Sequence, residues 1–150
     1  MIRKKLFKTE DEDRAKDYDT LLKEFSRFRS QFPKKLVAFY PYPSLKEALM
    51  KGEIAIWRDD TGNIVGHAWV KNLKRLKYSR LEEIYTLERG LGSVMLEDAE
   101  KMCRFPDFYL YVLKTNERAI RFYMKHGFKT EGEKKDMYVM HKSLGVHLNL

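Results

Sequence analysis

Two short segments of this 150-residue chain hold residue types and spacings that chemistry can use. In the first, Leu81 to Leu87 reads as a strand, and Arg89-Gly90-Leu91-Gly92-Ser93 then opens a helix with the apolar face Leu91, Met95, Ala99 and Met102. Glycines at a strand-to-helix turn let the backbone approach a ligand. The N–H groups of a helix's first turn lack intrahelical partners and favour an anion. A pyrophosphate fits such a turn, although paired glycines at a tight bend need bind nothing. In the second segment, the apolar run Phe108 to Leu113 reads as a buried strand. Asn116 to Phe128 follows it, with Ala119, Phe122, Tyr123 and His126 at helical spacing and Gly127 placed to end the helix.

The order N-x-x-A-x-x-F-Y-x-x-x-G-F in Asn116 to Phe128 closely resembles the C-terminal signature of the Gcn5-related N-acetyltransferases, which move an acetyl group from acetyl-CoA to an amine. The glycine segment resembles the same family's acyl-CoA site. The resemblance implies an α/β (α+β) fold, a single domain over residues 1–150, with a mixed, mostly antiparallel central sheet flanked by about four helices. It also implies acetyl-CoA as cofactor and direct transfer to a primary amine. Within that scheme Tyr123 matches the tyrosine usually assigned as general acid, because a phenol can protonate the departing CoA thiolate. Packing beside Phe122 is the other role open to it.

The general base implied is Glu82, acting through water, in Leu81-Glu82-Glu83-Ile84-Tyr85. Neighbouring strand residues face opposite sides, so a one-residue slip would put Glu83 in its place, and an ungapped alignment from the glycines puts Tyr78 there. Backbone groups of Ile84, Tyr85, Thr86 and Leu87 would hold the pantetheine arm, and Arg89, Gly90, Leu91, Gly92 and Ser93 the pyrophosphate. Asn116 would contact the cofactor or cap the Tyr123 helix. The chain departs from the family pattern at Leu87, where Gln or Arg is usual, and only Glu88 and Arg89 separate Leu87 from Gly90.

Composition sets the remaining bounds. At 18.0 kDa the chain suits one domain with a substantial core. Its apolar runs are far too short for a membrane span, and the basic N-terminus lacks the apolar stretch of a secretory signal, so a cytoplasmic protein without a membrane partner is expected. A single cysteine, Cys103, excludes an internal disulfide, and His67, His126, His141 and His147 have no zinc-ligand spacing with it, so no metal is expected. Cys103 is discounted as an acetyl-accepting nucleophile, because it lies late in the glycine-turn helix and buried free cysteine is common. His67 receives no role as a base.

The net charge of +8 favours anionic partners. Lys71, Lys74, Arg75, Lys77 and Arg80 gather around a strand-to-strand connection that includes Tyr78. Nucleic-acid contact is one reading of that cluster and a solvated hairpin the favoured one, since no nucleic-acid motif accompanies it. The rival for the whole chain is a catalytically degraded basic binding protein on the same fold, contacting nucleic acid or another anionic partner. Neither the acceptor amine nor the oligomeric state, including a homodimer, is specified.

The elements that must position these residues follow from periodicity. Ile2 to Phe7 reads as a strand. Thr9-Glu10-Asp11-Glu12 has capping-box spacing before an amphipathic helix carrying Tyr18, Leu21, Leu22, Phe25, Phe28 and Phe32, which Pro33 stops. Lys34 to Pro43 reads as irregular, and its Phe39-Tyr40-Pro41-Tyr42 sits where the family's variable helix connection covers the acceptor. Ser44 then caps a short helix through Met50. Ile54 to Arg58 and Asn63 to Asn72 form a hairpin about Asp60-Thr61-Gly62-Asn63. The glycine-turn helix runs to about Arg104, and Phe128 to Glu131 pairs with a last strand, Asp136 to Ser143.

Overall fold

In a computed structural model, described over residues 5–8, 18–34 and 38–145, four helices and seven strands are seen among the described residues. They are β1 (Lys5–Lys8), α1 (Tyr18–Arg29), α2 (Tyr42–Met50), β2 (Ile54–Arg58), β3 (Ile64–Leu73), β4 (Tyr78–Thr86), α3 (Leu91–Met102), β5 (Asp107–Leu113), α4 (Glu117–Lys125), β6 (Lys129–Lys134) and β7 (Met137–Ser143). The strands follow the hydrogen-bonded order β1-β2-β3-β4-β5-β7-β6. Strand β4 runs parallel to β5, whereas β1–β2, β5–β7 and β6–β7 are antiparallel. The order of elements is the one expected from sequence. The capping-box segment and the start of the expected first strand lie outside the described residues.

The chain clusters into two compact units, residues 1–68 with 85–92, and residues 69–84 with 93–150; β3, β4 and α3 run through both. In the first unit, α1 buries Leu21, Leu22, Phe25 and Phe28, and α2 buries Leu45, Ala48 and Leu49. These positions recur at helical spacing, so each helix presents one apolar stripe. Arg58 on β2 grips Glu24 on α1 with both guanidinium nitrogens, at 2.6 and 2.9 Å. The β2–β3 turn is closed by Asp59, whose carboxylate accepts from the Thr61 hydroxyl at 2.6 Å and the Thr61 and Asn63 amides. The Thr61 hydroxyl is the main cause holding the Asp59 carboxyl below its ordinary value.

In the second unit, β5 alternates Phe108, Leu110 and Val112 into the core with Tyr109 and Tyr111 on the opposite face. It pairs with β7 along its whole length, from Asp107 opposite Ser143 to Leu113 opposite Met137. Asn72 ties this unit's first elements together: its side chain donates to the Met102 carbonyl and accepts from the Ser79 hydroxyl and the Arg104 amide.

Several boundaries differ from the sequence expectation, and α1 ends at Arg29, before the Phe32 that the helical reading includes. Helix α2 begins at Tyr42, with Pro41 at its cap and no side-chain capping bond, so Ser44 lies inside the first turn rather than before it. Proline is tolerated there because first-turn N–H groups have no helical partner to lose. Strand β4 begins at Tyr78, three residues before Leu81, because Lys77 takes a left-handed φ of 58° that closes the preceding turn tightly. It ends at Thr86, which leaves Leu87 outside the strand. Strand β6 extends to Lys134 with a bulge between Thr130 and Gly132, and Lys135 turns the hairpin at φ 57°.

Candidate active site

In the first unit, the approach to the glycine turn is fixed by Thr86. Its hydroxyl lies 3.0 Å from the Val65 carbonyl and accepts from the Glu88 amide at 3.0 Å, while the Leu87 amide donates to the same Val65 carbonyl. The link from Thr86 to Glu88 is thus pinned before Gly90. Gly90 has φ +81°, a left-handed conformation that side chains rarely adopt, and open space lies where a Cβ would stand. Leu91 anchors the helix in the core, and Gly92 and Ser93 complete its first turn. Arg89 is exposed and has no ion-pair partner among the described residues. The turn therefore offers helix N-terminal amides beside a free cation, a combination that suits a diphosphate. Leu87, at the position expected to be polar, is 52% exposed.

Strand β4 has a second relevant property. Its ladder to β5 joins Ser79, Arg80 and Leu81 to Phe108, Tyr109 and Leu110 and stops there, although β5 continues to Leu113. From Glu82 onward the β4 backbone edge toward β5 is not consumed by that ladder, and buried backbone groups require partners. Ile84, Tyr85 and Thr86 lie on this stretch, and the inward burial alternation of β4 ends at Glu83.

In the second unit, Glu82 shares a face with Tyr78 and Arg80, whereas Glu83 joins Ser79 and Leu81 on the buried face. The Arg80 Nε donates to the Glu82 carboxylate in a very short contact, and the Arg80 guanidinium lies 5.8 Å from the Tyr111 ring centre. Burial pushes the Arg80 pKa down, but the Glu82 charge and hydrogen bond outweigh it, and the net direction is upward.

Helix α4 starts at Asn116, whose side chain accepts from the Ala119 amide at 3.2 Å. Asn116 is therefore the helix's N-cap, one of its two expected roles. Tyr123 is half-buried, with ring centres of Phe122 and Phe128 at 5.5 and 5.7 Å. The helix closes at His126 and at Gly127, which has φ +95°. The His126 Nε2 lies 3.0 Å from the Ser93 hydroxyl, which joins the C-terminus of α4 to the first turn of α3.

Several contacts were not identified from sequence. The Ser93–His126 pair is separated by 33 positions and leaves no local trace. His141 sits between two carboxylates, with Asp107 at 2.7 Å from Nε2 and Glu131 at 2.8 Å from Nδ1. The Arg80–Glu82 pair had a usable signal, the two-residue strand period, once the strand starts at Tyr78. In the first unit His67 is fully buried, its ring centre 4.8 Å from Phe25 and 5.5 Å from Tyr85, so it is not a surface group.

Cys103 is buried, and burial pushes its thiol up from 9.0 to about 12. The folded thiol therefore stays neutral and unreactive at pH 7. A raised thiol pKa destabilises the fold only where the unfolded chain ionises and the folded one does not. This contribution to stability is intact below about pH 9 and declines as pH rises from there toward about 12. An aromatic disulfide reagent should label the native protein slowly at pH 8 and modify one thiol per chain promptly in denaturant. Prompt labelling of the native fold would contradict this placement.

The model of the acetyltransferase (GNAT) family matches residues 17–128. A mycothiol acetyltransferase of Acidimicrobium ferrooxidans is 34% identical over 105 residues, 58% of this chain and 34% of that protein, so the chain spans about a third of its length. A GNAT-family acetyltransferase from Streptococcus pneumoniae superposes with a TM-score of 0.71 at 20% identity, covering 97% of this chain and 100% of that one. PaiA N-acetyltransferase from Thermoplasma acidophilum, solved in complex with coenzyme A, superposes with a TM-score of 0.67 at 18% identity, covering 95% and 99%.

Proposed function

Because the chain belongs to the acetyltransferase (GNAT) family, we propose that it transfers an acetyl group directly from acetyl-CoA to a primary amine. The observation that carries this reading is the course of β4, whose ladder to β5 ends at Leu81 and whose last residue leads through a pinned link into the Gly90–Ser93 turn. In this reading the pantetheine amides pair with the backbone of Ile84 to Leu87. The amides of Gly90 to Ser93 and the Arg89 guanidinium hold the pyrophosphate.

The attacking amine must be neutral, and the departing thiolate must gain a proton. Glu82 would accept the amine's proton through a water molecule, with Arg80 fixing the carboxylate's direction. Tyr123 would protonate the sulfur. Glu83, on the buried face with Ser79 and Leu81, would serve packing rather than proton transfer. Glu82→Gln should lower kcat about 100-fold with the fold intact, within the span of a general base. Glu83→Gln should chiefly lower the melting temperature. A reversal of the two outcomes, read from steady-state rates and melting curves, would exchange their roles.

In this reading the aromatic segment Phe39 to Tyr42 of the first unit would shape the choice of acceptor. Phe39 and Tyr42 are exposed, and the buried Arg29 donates to the Ala38 carbonyl at 2.9 Å with its guanidinium 5.4 Å from the Tyr40 ring centre. This segment favours an amine attached to an apolar or aromatic body over a compact hydrophilic one.

A thermal shift with acetyl-CoA tests the reading. Ligand at about 100 times its dissociation constant should add about 2.7 kcal/mol, a rise of several degrees in a domain of this size. A panel of amines should then release CoA thiol. The alternative, a catalytically degraded binding protein on this fold, predicts neither the shift nor thiol release.

A further inference from the structure

We infer that the end of the second unit formed by the β3–β4 turn, the C-terminus of α3 and the aromatic strip on β4, β5 and β7 binds single-stranded nucleic acid. Lys74, Arg75 and Lys77 lie in the turn and are exposed, as is Arg104 beyond the end of α3. None of the four has an ion-pair partner among the described residues. Of the carboxylates in this unit, Glu82 pairs with Arg80, Glu100 with Lys142 at 2.9 Å and Asp98 with Lys101 at 3.8 Å, whereas Asp107 and Glu131 share the single ring of His141. The turn and the end of α3 therefore carry exposed positive charge that no carboxylate pairs among the described residues, while Asp107 and Glu131 flank the strip at His141.

The cluster is also preorganised. The Leu76 and Lys77 amides both donate to the Leu73 carbonyl, closing the turn. Asn72 accepts from the Arg104 amide at 2.8 Å and donates to the Met102 carbonyl, and the Ser79 hydroxyl accepts from the Phe105 amide. The two basic segments are thus held together by side chain to backbone bonds. Lysines ordered by their backbone need less rearrangement to meet a polyanion than those on a free loop.

Directly after Lys77 the sheet turns aromatic. Tyr78 meets Tyr109 at 4.9 Å between ring centres, and Tyr109 meets His141 at 4.6 Å, giving a continuous half-exposed strip across β4, β5 and β7. Tyr111 continues it on β5 with Arg80 and Lys134 at 5.8 and 5.5 Å from its ring centre. Cations that track phosphates beside rings on which unpaired bases stack are the requirements of single-strand binding. A duplex presents no free base faces to such a strip, and an anionic membrane needs the charge but not the rings. Leu76, 62% exposed at the tip of the turn, is the one feature a membrane would use.

The test is fluorescence anisotropy with a labelled single-stranded oligouridylate of about 12 nucleotides, titrated at several salt concentrations. Four phosphate contacts predict a log–log salt slope of about −3. The combined variant Lys74→Glu, Arg75→Glu and Lys77→Glu should weaken binding by about 100-fold or more at 50 mM salt. Tyr109→Ala should weaken it by about 5- to 100-fold without changing the salt slope, and Tyr109→Phe should bind like the parent. Circular dichroism melts of every variant establish that the fold persists. Absence of binding by the parent at 50 mM salt would overturn the inference. So would equal affinity for a duplex of the same length, equal binding by Tyr109→Ala and Tyr109→Phe, or a preference for anionic phospholipid vesicles that Leu76→Ser abolishes. None of these results depends on acetyl-CoA, so they leave the acetyltransferase reading to its own test.

Discussion

Tyr123→Phe should lower kcat about 100-fold while the KM for acetyl-CoA changes less than about twofold. A positioned proton donor contributes roughly 10²- to 10⁴-fold, and the lower figure corresponds to about 2.7 kcal/mol of transition-state stabilisation. The substitution deletes one hydroxyl and keeps the ring that packs at 5.5 Å from Phe122 and 5.7 Å from Phe128. Its helix keeps the Asn116 cap and the Gly127 exit, so the melting temperature should move little. The size of the loss should grow with amines whose thioester exchange is limited by thiolate departure. An unchanged kcat would remove Tyr123 from the chemistry and leave it as a packing residue.

Gly90→Val should raise the dissociation constant for acetyl-CoA by about 10- to 100-fold. At φ +81° a β-branched residue is strained, and relief of that strain redirects the amides that follow. Losing one charge-assisted hydrogen bond to a phosphate, at about 1.5–3 kcal/mol, accounts for that range. Because open space lies where the Cβ would project, the folded chain itself accommodates the side chain, and the melting temperature without ligand should fall by only a few degrees. Titration calorimetry separates the two effects. Equal affinity in parent and variant would show that the turn does not hold the cofactor.

Much of the fold was legible because its punctuation is local. Gly127 ends α4 at φ +95° where its position in the sequence placed the stop, Gly90 lies at the turn before α3, and the apolar run at Phe108 marked β5. Two starts were misjudged for physical reasons. A lysine at φ 58° closes the β3–β4 turn, and nothing in Lys74-Arg75-Leu76-Lys77 announces a conformation that usually belongs to glycine. Pro41-Tyr42-Pro43 reads as a break, yet proline at a helix start costs no hydrogen bond.

The candidate site was legible only where its residues are consecutive. The glycine turn and the Tyr123 helix are short motifs that a sequence displays whole. The end of the β4–β5 ladder at Leu81 is a property of two strands with a helix between them, and the Ser93–His126 bond is a property of two helices. The choice between Glu82 and Glu83 needed a strand register. That register puts Glu82 with Arg80 and Glu83 in the core, but which carboxylate moves the proton is a question for rates.

Hydrogen–deuterium exchange with and without acetyl-CoA probes the proposed cofactor site most directly, because the interactions invoked are backbone amides. The account predicts that saturating acetyl-CoA slows exchange most strongly in peptides covering residues 84–93, where strand amides and first-turn amides would acquire acceptors. Binding without added protection in those peptides, or protection confined to other segments, would contradict it.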